Sequence, residues 1–89
     1  MAEELSDEKI RILLALYDNM MEGLTIEEIA VRVGIEKNKL KKLLKELEAE
    51  SYIEERIFPD RVDFDIENKG LRLCEHILEE IKNKTRKQT

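Results

Sequence analysis

Covalent and metal staples are nearly absent from this sequence. It has one cysteine, Cys74, and one histidine, His76. A single thiol closes no internal disulfide, and no Cys or His neighbours stand at metal-ligand spacing, so neither a disulfide framework nor a zinc site is available. There is no tryptophan, and the four aromatics, Tyr17, Tyr52, Phe58 and Phe64, are too scattered to stack successive bases of a single strand. No apolar run approaches a membrane span, and the acidic opening Met1 to Glu4 is unlike a basic, then apolar, signal peptide. The expectation is a cytoplasmic protein with no membrane association. Phosphate-binding glycine loops, a nucleophile beside a base and paired carboxylates in a cleft are all lacking, which argues against an enzyme and against any cofactor.

What is present is periodic and charged. The 89 residues allow one domain with one modest core, about 6–81, followed by a polar tail over 82–89 expected to fray. Apolar and charged residues each make up 42% of the chain, and the regular spacing of the apolar ones argues against disorder. The net charge of −5 is unevenly distributed. Residues 1–28 hold eight acids against two bases, and 46–68 hold nine against two. Residues 32–45 reverse this, with Arg32, Lys37, Lys39, Lys41, Lys42 and Lys45 against Glu36 alone.

The spacing predicts four helices and a hairpin, a mainly α fold with a small β element. Ser6 caps a first helix with Asp7 and Glu8 in its first turn and a buried stripe of Ile10, Leu13, Leu14, Tyr17 and Met21, closed by Gly23. Thr25 to Glu28 reads as a capping box, so a second helix starts at Ile26, buries Ile26, Ile29, Ala30 and Val33, and ends at Gly34. A third runs from Lys37 to Glu50 with Leu40, Leu43, Leu44 and Leu47 on one face and Asn38, Lys42 and Lys45 on the other. Ile53 to Ile57 and Val62 to Ile66 alternate as strands around the turn Pro59, Asp60, Arg61, which places Asp63 and Asp65 on a solvent face. A fourth helix after Gly70 buries Leu71, Cys74, Ile77, Leu78 and Ile81.

Two short helices joined by a tight glycine turn form a helix-turn-helix when a small residue, a turn glycine and apolar anchors coincide, here Ala30, Gly34 with Ile35, and Leu40 with Leu43. The string LTIEEIAVRVGIEKNKLKKLLKELEAESYIEE from Leu24 resembles the winged helix-turn-helix transcription regulators of bacteria and archaea. VDFDIENKGLRL resembles the second wing strand and following helix of that superfamily. The resemblance spans roughly 8–81 and implies a three-helix core, a wing and a C-terminal helix. It further implies transcriptional regulation as a homodimer, with the third helix in the major groove of double-stranded DNA. The groove-facing positions would be Lys37, Asn38, Lys39, Lys41, Lys42 and Lys45, and the wing tip Asp60 and Arg61. The chain departs from the usual pattern in having Glu36 as the cap, Ser51 where the helix often ends in Gly, and a short, acid-flanked wing.

The residues support the same expectation independently. Lysines neutralise phosphates and release counterions, while an asparagine amide matches an adenine edge. A face of Lys with one Asn therefore favours affinity over base specificity. The competing expectation is a winged-helix adaptor that binds protein through its acidic surface and hairpin. The apolar stripe Leu71, Cys74, Ile77, Leu78 and Ile81, with Leu73 beside it, is the expected dimer surface, and Cys74 on it is expected to be unreactive. His76 and Glu80 read as a surface helix pair, Met20 and Met21 as core or dimer contacts, and the three aspartates of the hairpin as too dispersed for a metal. An operator sequence and an effector molecule are not encoded in any recognisable motif.

Overall fold

The computed structural model describes residues 5–87, with side chains to Lys84. Its order is α1 (Asp7–Asp18), α2 (Ile26–Val33), α3 (Lys37–Ala49), β1 (Ile53–Ile57), β2 (Val62–Ile66) and α4 (Asn68–Lys87). The local start signals act as their chemistry dictates. Ser6 Oγ accepts from the Lys9 N–H, and Thr25 and Glu28 satisfy each other's backbone donors at 3.2 and 2.8 Å. Glu36, an unusual cap, accepts from the Lys39 N–H at 3.3 Å. Gly34 takes a left-handed conformation between α2 and α3, and Ser51 does the same after α3 without being glycine.

The core sits where α1, α2, α3 and the hairpin converge. On α1 the fully buried residues are Ile12, Leu13 and Leu16, so the expected stripe is corrected by a rotation: Ile10, Leu14 and Tyr17 form half-buried flanks. The cause is that α1 packs against α2, α4 and β2 together, and a helix enclosed on several sides buries a wide arc rather than one row. Met21 is 84% exposed because the helix has already ended, with the Asn19 N–H bonding Leu16 and Tyr17 carbonyls. Gly23 is therefore a loop residue and not the cap of α1. Ile29 and Val33 of α2 and all four expected leucines of α3 join the core, whereas Ile26 and Ala30 lie at its edge.

β1 and β2 pair antiparallel with Ile57 opposite Val62 and Ile53 opposite Ile66. Leu24 adds a third rung, exchanging both backbone hydrogen bonds with Phe64 at 3.0 and 2.8 Å. Glu55, Ile57, Val62 and Phe64 thus share the face turned to α3, and Arg56, Asp63 and Asp65 share the other. The expectation of a solvent face for Asp63 and Asp65 is overturned: they are 2% and 8% exposed. The loop after α1 closes over that side of the hairpin and donates the Met21 N–H to Asp65, while Asp63 is met by Arg56 and Arg61.

α4 begins at Asn68, two residues before Gly70, and continues to Lys87, so 82–87 are helical here, while Gln88 and Thr89 of the expected tail lie outside the described residues. At about 1.5 Å per residue its 20 residues extend about 30 Å, against about 18 Å for the 12 of α1 beneath it. The helix outruns the core, which corrects the expected burial. Cys74 is enclosed, Leu71 and Ile77 are half-buried, and Leu78 and Ile81 are 40% and 54% exposed. No helix among the described residues is long and apolar enough to cross a membrane.

Gly70 fixes how closely α4 can approach the base of the hairpin, at Tyr52 and Ile66. A Cβ there would stand 2.5 Å from the Tyr52 carbonyl oxygen and 2.9 Å from Ile66, neither of which is the end of a flexible chain. Gly70→Ala, which in an open helix would stabilise, should here cost about 1–3 kcal/mol by overpacking. Chemical denaturation is the measurement; an unchanged midpoint would show that the helix can slide away without loss.

Candidate nucleic-acid interface

The α3 leucines point inward, and geometry therefore sends every lysine of that helix outward. Lys37, Asn38, Lys39, Lys41, Lys42 and Lys45 are all exposed, but they are not equivalent. Lys37 Nζ lies 2.8 Å from a Glu27 carboxylate oxygen at the start of α2, and Lys39 Nζ lies 2.9 Å from Glu8 at the start of α1. The hydrogen bond from Lys37 holds the Glu27 carboxyl below the usual range. Among the described residues Lys41, Lys42 and Lys45 have no carboxylate within ion-pair distance. The basic face thus divides into an ion-paired N-terminal turn and a central stretch without ion pairs. On the edge nearest α1, Glu46 pairs with Lys9 at 2.9 Å, and that hydrogen bond, with the charges of Lys9 and Lys42, holds its carboxyl below the usual range.

On the other edge of α3 a groove of about 660 Å³ separates it from the hairpin. Arg61, expected at the hairpin tip as a DNA contact, is folded back: its guanidinium reaches Asp63 at 3.2 Å and Glu28 at 4.0 Å. The tip exposes Asp60 and Arg61 together with apolar Ile57, Phe58 and Val62.

No protein-family model matches the sequence, and no curated protein matches it. Solved structures do. The Staphylococcus aureus MepR–DNA complex superposes with a TM-score of 0.86 at 21% identity, covering 94% of this chain and 70% of that one. MepR, a transcription regulator of the S. aureus multidrug efflux pump MepA, superposes at 0.82 with 23% identity, over 97% of this chain and 67% of that one. The chain has the winged helix-turn-helix fold. In its terms α2 and α3 are the helix-turn-helix and β1–β2 the wing.

The wing is held by Arg56, a residue that no sequence motif singles out. Its Nε donates to Asp63 at 2.8 Å, a second nitrogen lies 3.4 Å from Asp65 as an ion pair, and the third nitrogen donates to the Glu22 carbonyl at 3.1 Å. The Asp63 hydrogen bond pushes the Arg56 guanidinium pKa up. Asp65 meanwhile accepts from the Met21 N–H, whose φ of 75° is left-handed for a non-glycine residue. A Cβ at Gly23 would collide with Arg56 and Asp63, so only glycine lets the loop sit against this cluster. The signal in the sequence is the register: once the turn spans 58–61, Arg56 falls opposite Asp63.

On α4, His76 pairs with Glu80 at 3.5 Å on the surface. Cys74, expected at a dimer surface, is fully enclosed by its own chain and offers a partner nothing, which leaves the surface there to Leu71, Ile77, Leu78 and Ile81. Burial, aided by the negative charge of Asp18, pushes its thiol up to about 11.

Two outcomes follow from these environments. Asp63→Ala should destabilise the fold by about 1–3 kcal/mol, discounted from the figure for a wholly buried pair because Arg56 is partly solvated. Comparing urea midpoints of parent and variant checks it. The Cys74 thiol should react slowly with a bulky reagent at neutral pH. Because its pKa is raised from 9.0 to about 11, the unfolded chain loses this proton first, and the thiol's contribution to stability falls as pH rises across that window. Cys74→Ala should lack that component, measured as a difference in pH-dependent stability.

Proposed function

We propose that this chain is a transcription regulator that binds double-stranded DNA as a homodimer, with α3 in the major groove. The observation that carries the reading is the set of exposed cations that make no ion pair among the described residues, Lys41, Lys42 and Lys45, on the outward side of the second helix of a helix-turn-helix. Cations without ion pairs are free to neutralise phosphates, and each one that does so releases counterions. Lys37 and Lys39 join only by giving up Glu27 and Glu8, so they contribute less per charge. Asn38, exposed at the start of α3, is the side chain suited to a base edge. Arg61, engaged with Asp63 and Glu28, plays a minor part. MepR has been solved with DNA, which supports this use of the same fold.

The second copy docks on α4. Ile77, Leu78 and Ile81 lie at i, i+1 and i+4 beyond the end of the core, with Leu71 nearer the domain, and their exposed surface supports pairing of two such helices. Two recognition helices would then address half-sites about one DNA turn apart. Ile81→Glu should give a monomer by sedimentation with helical circular dichroism retained. A dimer that survives this change rules out the α4 surface.

The DNA role is tested by changing Lys41, Lys42 and Lys45 together to Ala. Affinity should fall by a similar factor on all duplexes, and the slope of log K against log salt should shrink by about 0.9 for each phosphate no longer neutralised. Arg61→Ala should matter less, and Glu27→Gln should raise affinity at low salt by releasing Lys37. A folded triple variant that binds as tightly as the parent would refute the assignment, and an adaptor that binds protein would show no salt-dependent duplex affinity at all.

A further inference from the structure

Polar side chains at the start of α1 reach both helices of the helix-turn-helix, outside the apolar core. Arg11 donates from one guanidinium nitrogen to the carbonyl of Val33, the last residue of α2, at 2.9 Å. Lys9 Nζ lies 2.9 Å from Glu46, in the third turn of α3. Glu8 lies 2.9 Å from Lys39, in the first turn of α3. We infer that Lys9 and Arg11 are positioning residues that set the direction of α3 relative to α1 and α2, and so the angle at which α3 meets a duplex. This deepens the DNA-binding reading and, for its effect on binding, rests on it.

The Val33 carbonyl is one of the last four of α2, which have no partner inside the helix, and a cation there also faces the negative end of the helix dipole. Lys9 and Arg11 are two residues apart on α1, so one short stretch of that helix holds both the end of α2 and the third turn of α3. Gly34 fixes where α2 and α3 meet; the two outer contacts limit the angle between them. The charge pattern adds direction. Glu8 and Lys9 meet opposite charges on α3 that stand seven residues apart, about 10 Å along the helix. Exchanging the partners would set Glu8 against Glu46 and Lys9 against Lys39, so the pattern admits only one orientation of α3. In the proposed complex Lys39 leaves Glu8 for phosphate, but the Lys9 and Arg11 contacts use no lysine assigned to DNA and persist. The Lys9 side chain is only 16% exposed, which leaves it directed at Glu46 rather than at a phosphate.

The test compares Lys9→Met and Glu46→Gln in the intact chain, titrated with random-sequence duplex. By charge alone the first weakens binding and the second strengthens it, since the Glu46 charge also acts on Lys42 four residues earlier. Positioning predicts that both weaken binding, by about threefold, and that the double variant is no weaker than either single one, because each breaks the same pair. Lys9→Arg should bind as the parent does. In the free chain, residual dipolar couplings of the α3 amides should show a changed direction relative to α1 in Lys9→Met, Glu46→Gln and Arg11→Met, and the parental direction in Lys9→Arg. Tighter binding by Glu46→Gln, additive losses in the double variant, or a parental α3 direction in Lys9→Met would overturn the proposal. If the parent has no duplex affinity, the DNA reading fails, while the couplings still decide whether Lys9 and Arg11 set α3.

Discussion

The arrangement depends on how the wing is fastened to the loop after α1. A hairpin of two five-residue strands has little stability of its own, and here it gains a third rung from Leu24 and an ionic anchor from Arg56 with Asp63 and Asp65. Asp63 is almost fully enclosed, and its carboxylate is met by the guanidinium groups of Arg56 and Arg61. This anchoring fixes which face of the hairpin looks at α3. Val62 and Phe64 are thereby set opposite Lys41 and Lys45, and the groove between them follows from the anchor.

A second constraint is the distribution of compensation across the basic face. A net-acidic chain presents a cationic surface only where its carboxylates fail to reach. The N-termini of α1 and α2, rich in acids because acids favour helix starts, are adjacent to the first turn of α3 and neutralise Lys37 and Lys39. Further along, α3 passes out of their range. The exposed lysines without ion pairs are therefore those in the middle of the helix, Lys41, Lys42 and Lys45.

Features governed by neighbours in sequence are legible without the structure. The caps at Ser6 and Thr25, the turn at Gly34 and the leucine face of α3 each depend on residues within one or two turns. The less legible features are tertiary. The phase of α1 is not fixed by its own residues, because adjacent apolar rows offer several stripes and only packing on three sides selects among them. Strand alternation places Asp63 and Asp65 in solvent because it assumes water on the polar face, whereas here a loop covers it. The overrun of α4 is invisible in its own apolar period, since burial depends on the length of the helix beneath. The division of the lysines into paired and free likewise requires knowing that Glu8 and Glu27 come close to α3 in space.

The central claim is that the α3 lysines without ion pairs engage the phosphates of duplex DNA. Titration of random-sequence duplex with the parent chain at a series of salt concentrations tests it most directly. Three lysines per recognition helix predict that log K falls against log salt with a slope of at least about −3. A slope near zero, or no binding even at low ionic strength, would contradict it.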